Sequence, residues 1–155
     1  MDEERIRQLV KICYWQHDRN CATTVLKIFA EQHSIALTDQ VLDAAVGMHG
    51  AGKYGAQCGL VEGTLLFLGI LGRAKHLLDD EICRSCYQFA ERFEERFTSL
   101  RCAELRPEGF SEDLPPHLCE ELTARAVIMG SAFLKEMLAG IESLSPSDEA
   151  PSTGA

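Results

Sequence analysis

The stretch Cys58-Gly-Leu-Val-Glu-Gly-Thr-Leu-Leu-Phe-Leu-Gly-Ile-Leu-Gly72 contains the most apolar run of the chain. The run from Thr64 to Gly72 is flanked by Glu62 and Arg73, and it is about half as long as the ~20 residues that are needed to cross a bilayer. A helix that is apolar on nearly every side must be surrounded by other elements. The stretch therefore predicts a buried central helix over about residues 56–72, and no membrane span.

Apolar residues recur at helical spacing on both sides of this segment. The spacing predicts two short helices near the N-terminus, the second starting after Asn20, and a third that Thr38 can cap. An aromatic stripe predicts a fifth helix over about 80–98, and the last helix is expected over about 117–140. No strand-like alternation competes with these assignments. The expected fold is all-α, a single-domain bundle of about five to six helices around the central apolar helix.

The expected domain covers residues 1–142, because 155 residues suit one ordinary domain. The segment 143–155 is rich in Ser and Pro and is expected to be disordered. We find no internal repeat.

The charge balance excludes some classes of partner. The chain has 24 Asp and Glu against 15 Lys and Arg and a net charge of -9, which disfavours nucleic acid binding. Its first residues are acidic and amphipathic, unlike the basic and apolar regions of a signal peptide. We therefore expect a cytoplasmic protein, in which the seven cysteines serve metal binding, catalysis or burial rather than a disulfide framework.

Two short motifs are weak signals. Gly47-x-x-x-x-Gly52-Lys53 matches the front of a phosphate-binding loop, but Tyr54 replaces the Ser or Thr and a helical segment precedes it. A glycine-rich turn is the expected structure. The pair Cys83 and Cys86 lies within a predicted helix without a preceding strand, so burial of both side chains is the favoured interpretation.

The five histidines, at positions 17, 33, 49, 76 and 117, have no metal-ligand spacing and are expected in loops or on the surface. His49, in the glycine-rich loop, and His117, two residues before Cys119, could still lie near a site. Cys13 shares a helix face with apolar neighbours and is expected to be buried.

The other four cysteines occupy distinctive positions. Cys21, Cys58 and Cys119 fall at or near helix N-termini, and Cys102 is expected in a loop. A helix N-terminus favours an anion, which lowers a thiol pKa and yields the thiolate that metal binding and redox chemistry need. The residues alone leave such a site about equally balanced against simple burial.

From about residue 10 to 138 the chain resembles the C_GCAxxG_C_C family of redox-active proteins. The resemblance rests on Asn20-Cys21-Ala22, the glycine-rich approach to Gly55, Cys58-Gly-Leu-Val-Glu-Gly63, Phe97-Thr-Ser-Leu-Arg-Cys102, and Cys119 before a long helix. Leu60 stands where the family motif has Ala, and His49 and Lys53 replace glycines that are common in the family loop. The resemblance implies an all-helical domain and a redox role for Cys21, Cys58, Cys102 and Cys119.

Three hypotheses follow for these four cysteines. The first is that they ligate an iron–sulfur cluster, of the two-iron type, in an electron carrier or redox sensor. Gly55, Gly59 and Gly63 would then allow backbone N–H groups to approach the cluster. The second is a metal-free thiol–disulfide oxidoreductase, with Cys21 paired to Cys58 and Cys102 to Cys119. The third is a helical module with a structural zinc site.

The partner expected for the first two hypotheses is an unidentified redox protein. The glycine stripe on the central helix would also suit a helix-packed homodimer, although core packing explains it as well. The sequence alone does not choose between an enzyme and an electron carrier.

Overall fold

The computed structural model describes residues 1–144, with side chains through residue 143. The predicted disorder of the C-terminal tail falls, from residue 145 onward, outside these described residues. Within residues 1–144 the chain forms eight helices and no strand, which confirms the all-α prediction. The helices are α1 (Glu3–Trp15), α2 (Cys21–Gln32), α3 (Asp39–Ala44), α4 (Gly50–Lys53), α5 (Gly59–Ala74), α6 (Asp79–Phe97), α7 (Cys102–Leu105) and α8 (Glu120–Leu144).

Six of these helices correspond to the predicted ones, and the two others are single turns. Helix α4 lies in the predicted glycine-rich loop, and α7 begins at Cys102 in the loop expected after the fifth helix. The prediction of five to six helices therefore missed only these four-residue turns, which carry no apolar periodicity of their own.

Helix α5 packs against α2, α6 and α8, as expected for the central helix. Its contact with α2 is the most extensive in the fold. Two glycines of α5 permit this approach: a Cβ at Gly63 would lie 2.5 Å from the carbonyl oxygen of Ala22, and one at Gly59 would lie 2.4 Å from the Sγ of Cys21. The third glycine of the predicted stripe, Gly55, lies before the helix with φ +94° and faces Ala103 instead.

Helix α6 carries the predicted aromatic stripe. Phe89, Phe93 and Phe97 are buried, and each ring packs at a tilt against the next. The N-terminal half of the helix departs from the prediction, because Cys83 is exposed and Cys86 is only half-buried. The expectation that both cysteines are buried was therefore wrong, since the core covers α6 mainly over its second half. Cys13 is buried, as predicted.

Helix α8 packs against α1 and reaches the core through Val127 and Leu134, both 0% exposed. One buried hydrogen bond joins the two helices, at 2.6 Å between the Tyr14 hydroxyl and the Thr123 hydroxyl. No helix among residues 1–144 has the length and apolarity that a membrane span requires.

Candidate thiol site

Each of the four predicted cysteines lies at the start of a helix. Cys21 is the first residue of α2, Cys58 is the N-cap of α5, and Cys102 is the first residue of α7. Cys119 directly precedes α8, and its carbonyl oxygen accepts a hydrogen bond from the Thr123 N–H at 2.7 Å. Cys102 was predicted in a loop, and the one-turn helix α7 corrects that expectation.

A short backbone bridge brings two of these helix starts together. Gln57 and Arg101 form an isolated antiparallel bridge. Next to it, the Cys58 N–H donates to the carbonyl oxygen of Leu100 at 2.8 Å, and the Cys102 N–H donates to that of Ala56 at 2.7 Å. The start of α5 and the start of α7 are thereby held side by side, although they are far apart in sequence.

Two glycines allow further elements to pack closely against the starts of α5 and α7. The Cβ-free Gly59 contacts the Sγ of Cys21, which places α2 against the start of α5. Gly50, buried with φ +70°, contacts Cys102: an added Cβ would lie 2.9 Å from its Cβ and 3.0 Å from its Sγ. These two glycines let the sulfurs approach neighbouring backbone, which a larger residue would prevent.

The four thiols influence one another electrostatically in every pairing. Charge on Cys58, Cys119 and Cys102 raises the pKa of Cys21; charge on Cys102 and Cys119 raises that of Cys58; and charge on Cys119 raises that of Cys102. Such mutual effects require that the sulfurs lie near one another. Among charged neighbours, Cys58 affects Cys21 most, Cys119 affects Cys102 most, and Cys102 affects Cys58 most.

Burial is the main cause of the raised pKa of Cys21, Cys58 and Cys102. It raises the pKa of Cys21 far above the ordinary value, and it raises the pKa of Cys58 to about 12. Backbone N–H groups of Ala22, near Cys21, and of Leu60 and Val61, near Cys58, act in the opposite direction but more weakly. The predicted lowering of the pKa of Cys21 and Cys58 by helix N-termini is therefore present, but the effect of burial is larger, because desolvation penalises the thiolate.

All four cysteines line one cavity of about 680 Å³. His49 and His117 line it too, as their positions in the sequence suggested. The Nδ1 of His49 is buried without a hydrogen-bond partner within the described part of the chain. His117 is stacked on Tyr14, with ring centroids 5.0 Å apart, and Tyr14 also lines the cavity. The three glycines Gly55, Gly59 and Gly63 are not among the lining residues in the described range.

Sequence reasoning missed Arg106. Its Nη1 lies 3.9 Å from the Sγ of Cys119, and its charge lowers the pKa of Cys102 against the larger effect of burial. The guanidinium is held in place by a 2.7 Å hydrogen bond from Nε to the carbonyl oxygen of Gly109 and by stacking over Phe110, 4.3 Å from the ring centroid. The only available signal was a cation in the loop between two candidate cysteines.

The cysteines as placed do not form a site for a single metal ion. Within the described residues no three His, Cys, Asp or Glu side chains are arranged to hold one. All seven cysteines are free thiols. Tetrahedral zinc needs sulfurs at about 2.3 Å from one point, so a zinc site would require these side chains to move inward.

One comparison with known proteins identifies a family for this chain. Searches of curated proteins and of solved structures gave no significant match. Residues 19–132, which include Cys21, Cys58, Cys102 and Cys119, match the family described as "Putative redox-active protein (C_GCAxxG_C_C)". Because this match covers more than half of the chain and contains the whole thiol site, the chain belongs to the C_GCAxxG_C_C family of redox-active proteins.

Proposed function

We propose that this protein is a thiol–disulfide oxidoreductase, in which Cys21 pairs with Cys58 and Cys102 with Cys119. The observation that carries the proposal is the placement of four free thiols around one cavity, and their mutual effects on pKa support it. The strongest thiol effects on Cys21 and on Cys102 come from their proposed partners, Cys58 and Cys119, whereas the strongest on Cys58 comes from Cys102. Oxidation of each pair forms one S–S bond and transfers two electrons and two protons to a disulfide of the partner or substrate.

The two pairs differ in how readily their thiols should react with a disulfide. Cys58 is 4% exposed and its pKa is raised to about 12, so the first pair holds its protons at neutral pH. Cys119 is half-buried and has Arg106 beside its sulfur. Because thiol–disulfide exchange needs an accessible sulfur with a cation near it, Cys119 is the attacking thiol and Cys102 resolves the mixed disulfide.

The test is to count the free thiols during oxidation and to identify which cysteines become linked. Protein reduced under anaerobic conditions is titrated with a disulfide oxidant, and disulfide-linked peptides are identified by mass spectrometry. We expect the loss of two thiols first, as a Cys102–Cys119 peptide pair, and of two more later, as Cys21–Cys58. Random pairing that includes Cys83 or Cys86 would contradict the proposal.

An iron–sulfur cluster is the second candidate, and the chemistry of the donor set favours it. Four sulfur donors are the ligand set of such clusters, and the repulsion among the four thiolates would be relieved by bound iron. A cluster spreads its protein ligands over more than one iron, so it does not require all four sulfurs to surround a single point as zinc does. Cys21, Cys58, Cys102 and Cys119 would hold it, and it would supply one-electron transfer.

Anaerobic purification separates the two candidates. A brown protein with iron and sulfide in near-equal amounts supports the cluster. A colourless protein that contains zinc supports the structural site, and a colourless, metal-free protein whose four thiols oxidise in pairs supports the oxidoreductase.

A further inference from the structure

We infer that the thiol-lined cavity binds a small organic anion that carries a disulfide, which the Cys102–Cys119 pair reduces. This inference rests on the proposed thiol–disulfide function and adds the class of substrate. It starts from the size of the cavity, because about 680 Å³ lies within the range of about 300–1,000 Å³ that is typical of small-molecule sites.

Cations line the cavity although the chain as a whole is strongly acidic. Arg19, Lys27, Lys53 and Arg106 all face it, in a protein of net charge -9. Three of the four are half-buried, the exception being Lys53. Cations held inside a partly closed cavity create a positive potential there, which attracts and orients an anion.

The carboxylates that line the cavity are fewer and lie further out. They are Asp18, Asp43 and Glu112, and all three are exposed. Water screens exposed charges much more strongly than half-buried ones. The interior of the cavity is therefore positive despite the acidic residues at its rim.

None of the four cavity cations forms an ion pair with a carboxylate within the described residues. On the outer surface, by contrast, five arginines are each paired with an acidic residue, at positions 5, 7, 73, 92 and 101. The cavity cations are thus available for a ligand, whereas many surface cations are already neutralised.

A strained turn presents one of these cations. Ala51 and Lys53 have positive φ angles of 51° and 74°, between and beside glycines with φ of 70° and 63°. Such left-handed residues other than glycine are costly and are found at functional sites. Here the turn is fixed by hydrogen bonds from the Gly52 N–H to the Gly47 oxygen at 2.9 Å and from the Lys53 N–H to the His49 oxygen at 3.1 Å.

The same turn contacts the redox pair. Gly50, at its start, packs against the Cβ and Sγ of Cys102, while Lys53 and His49 line the cavity. Arg106 lines the same cavity and lies 3.9 Å from the Sγ of Cys119. A ligand whose carboxylates are bound by Lys53 and Arg106 would therefore present its disulfide to these two sulfurs.

The reaction balances in two steps. The sulfur of Cys119 attacks one sulfur of the substrate disulfide, which forms a mixed disulfide and releases one substrate thiol carrying the proton from Cys119. Cys102 then attacks the Cys119 sulfur, which forms the protein disulfide and releases the second thiol with the proton from Cys102. The substrate gains the two electrons that the cysteine pair loses.

Three small disulfides of different charge test the inference: dithiodipropionate, which is doubly negative, bis(hydroxyethyl) disulfide, which is neutral, and cystamine, which is doubly positive. The rate of protein thiol oxidation is measured with each, at low salt. We expect the anion to react fastest, and we expect Lys53→Gln to slow the anion about fivefold relative to the neutral disulfide. Arg106→Gln should slow all three disulfides, because Arg106 also lies beside the attacking sulfur of Cys119. Lys135→Gln, an exposed lysine of α8 outside the cavity, is the control and should change neither rate.

Suberate separates this inference from the proposed function, since it has the length of dithiodipropionate but no disulfide. Its binding to the wild-type protein and to Lys53→Gln is measured by calorimetry. Binding of suberate that the substitution weakens, without thiol oxidation by any disulfide, supports the anion site and overturns the oxidoreductase. Oxidation at equal rates by all three disulfides, without suberate binding, supports the oxidoreductase and overturns the anion site.

Discussion

The Sγ of Cys21 rests against Gly59, so closely that a methyl group on Gly59 would lie 2.4 Å from that sulfur. The same methyl group would lie 2.6 Å from the carbonyl oxygen of Met48. One missing side chain therefore allows the start of α2, the start of α5 and the glycine-rich turn to meet at the thiol site.

Replacing Gly59 by Ala should displace this contact. We expect a loss of about 1–3 kcal/mol in the free energy of unfolding, because backbone and sulfur must both shift. Chemical denaturation measures the effect. Gly69→Ala, on the same helix with nothing within 4 Å of its added Cβ, is the control, and it should stabilise the protein by about 0.5–1 kcal/mol. Equal effects of the two substitutions on the free energy of unfolding would show that the close approach at Gly59 does not make this position intolerant of a side chain.

The seven thiols should differ in their rates of alkylation. Cys83 is exposed and should react first with iodoacetamide at neutral pH, whereas Cys58, 4% exposed and with its pKa raised to about 12, should be among the slowest. Mass spectrometry of the labelled peptides gives the order. Rapid labelling of Cys58 in the folded protein would contradict the burial described above.

Serine substitutions should distinguish a cysteine of the thiol site from a cysteine on the surface. Cys58→Ser should abolish the redox cycle of its pair, while Cys83→Ser, at an exposed site, should leave thiol oxidation of the four-cysteine site intact and change stability by less than about 0.5 kcal/mol. Thiol counting and denaturation measure the two effects. Equal loss of redox activity from both substitutions would show that the site is assigned wrongly.

The reduced protein should lose stability at alkaline pH. Because burial raises the pKa of Cys58 to about 12, the folded state keeps a proton that the unfolded chain loses near the ordinary cysteine pKa of about 8.5. The contribution is complete below that lower value and is lost as the pH rises toward 12, with a slope of about 1.4 kcal/mol per pH unit. Denaturation at several pH values, compared with Cys58→Ala, isolates this group; parallel curves would contradict the raised pKa.

Removal of one partner of the hydrogen bond between Tyr14 and Thr123 should cost more stability than the net energy of that bond. Thr123 is 0% exposed and its hydroxyl lies 2.6 Å from that of Tyr14. Tyr14→Phe leaves a buried hydroxyl without this partner and should cost about 1–3 kcal/mol. Adding Thr123→Val should recover part of that loss. A double-mutant cycle without coupling would indicate that the two hydroxyls do not interact.

The helices could be predicted because local patterns specify them. The apolar run at 64–72, the phenylalanines spaced four apart from Phe89 to Phe97, and the N-cap at Asn20 each act within a few turns of helix. Burial along α6 could not be predicted in the same way. Cys83 and Cys86 continue the pattern of the helix, but only contact with α5 and α8 determines where the core ends.

The sequence by itself determined the helical class, the central helix and the family to which the chain belongs. Only the tertiary structure brought Cys21, Cys58, Cys102 and Cys119 to one cavity and placed Arg106 beside Cys119. It also turned the expected lowering of the pKa of Cys21 and Cys58 into a rise. The physical reason is range: helix formation depends on neighbours a few residues apart, whereas desolvation and charge coupling depend on groups that are distant in sequence and meet only after packing.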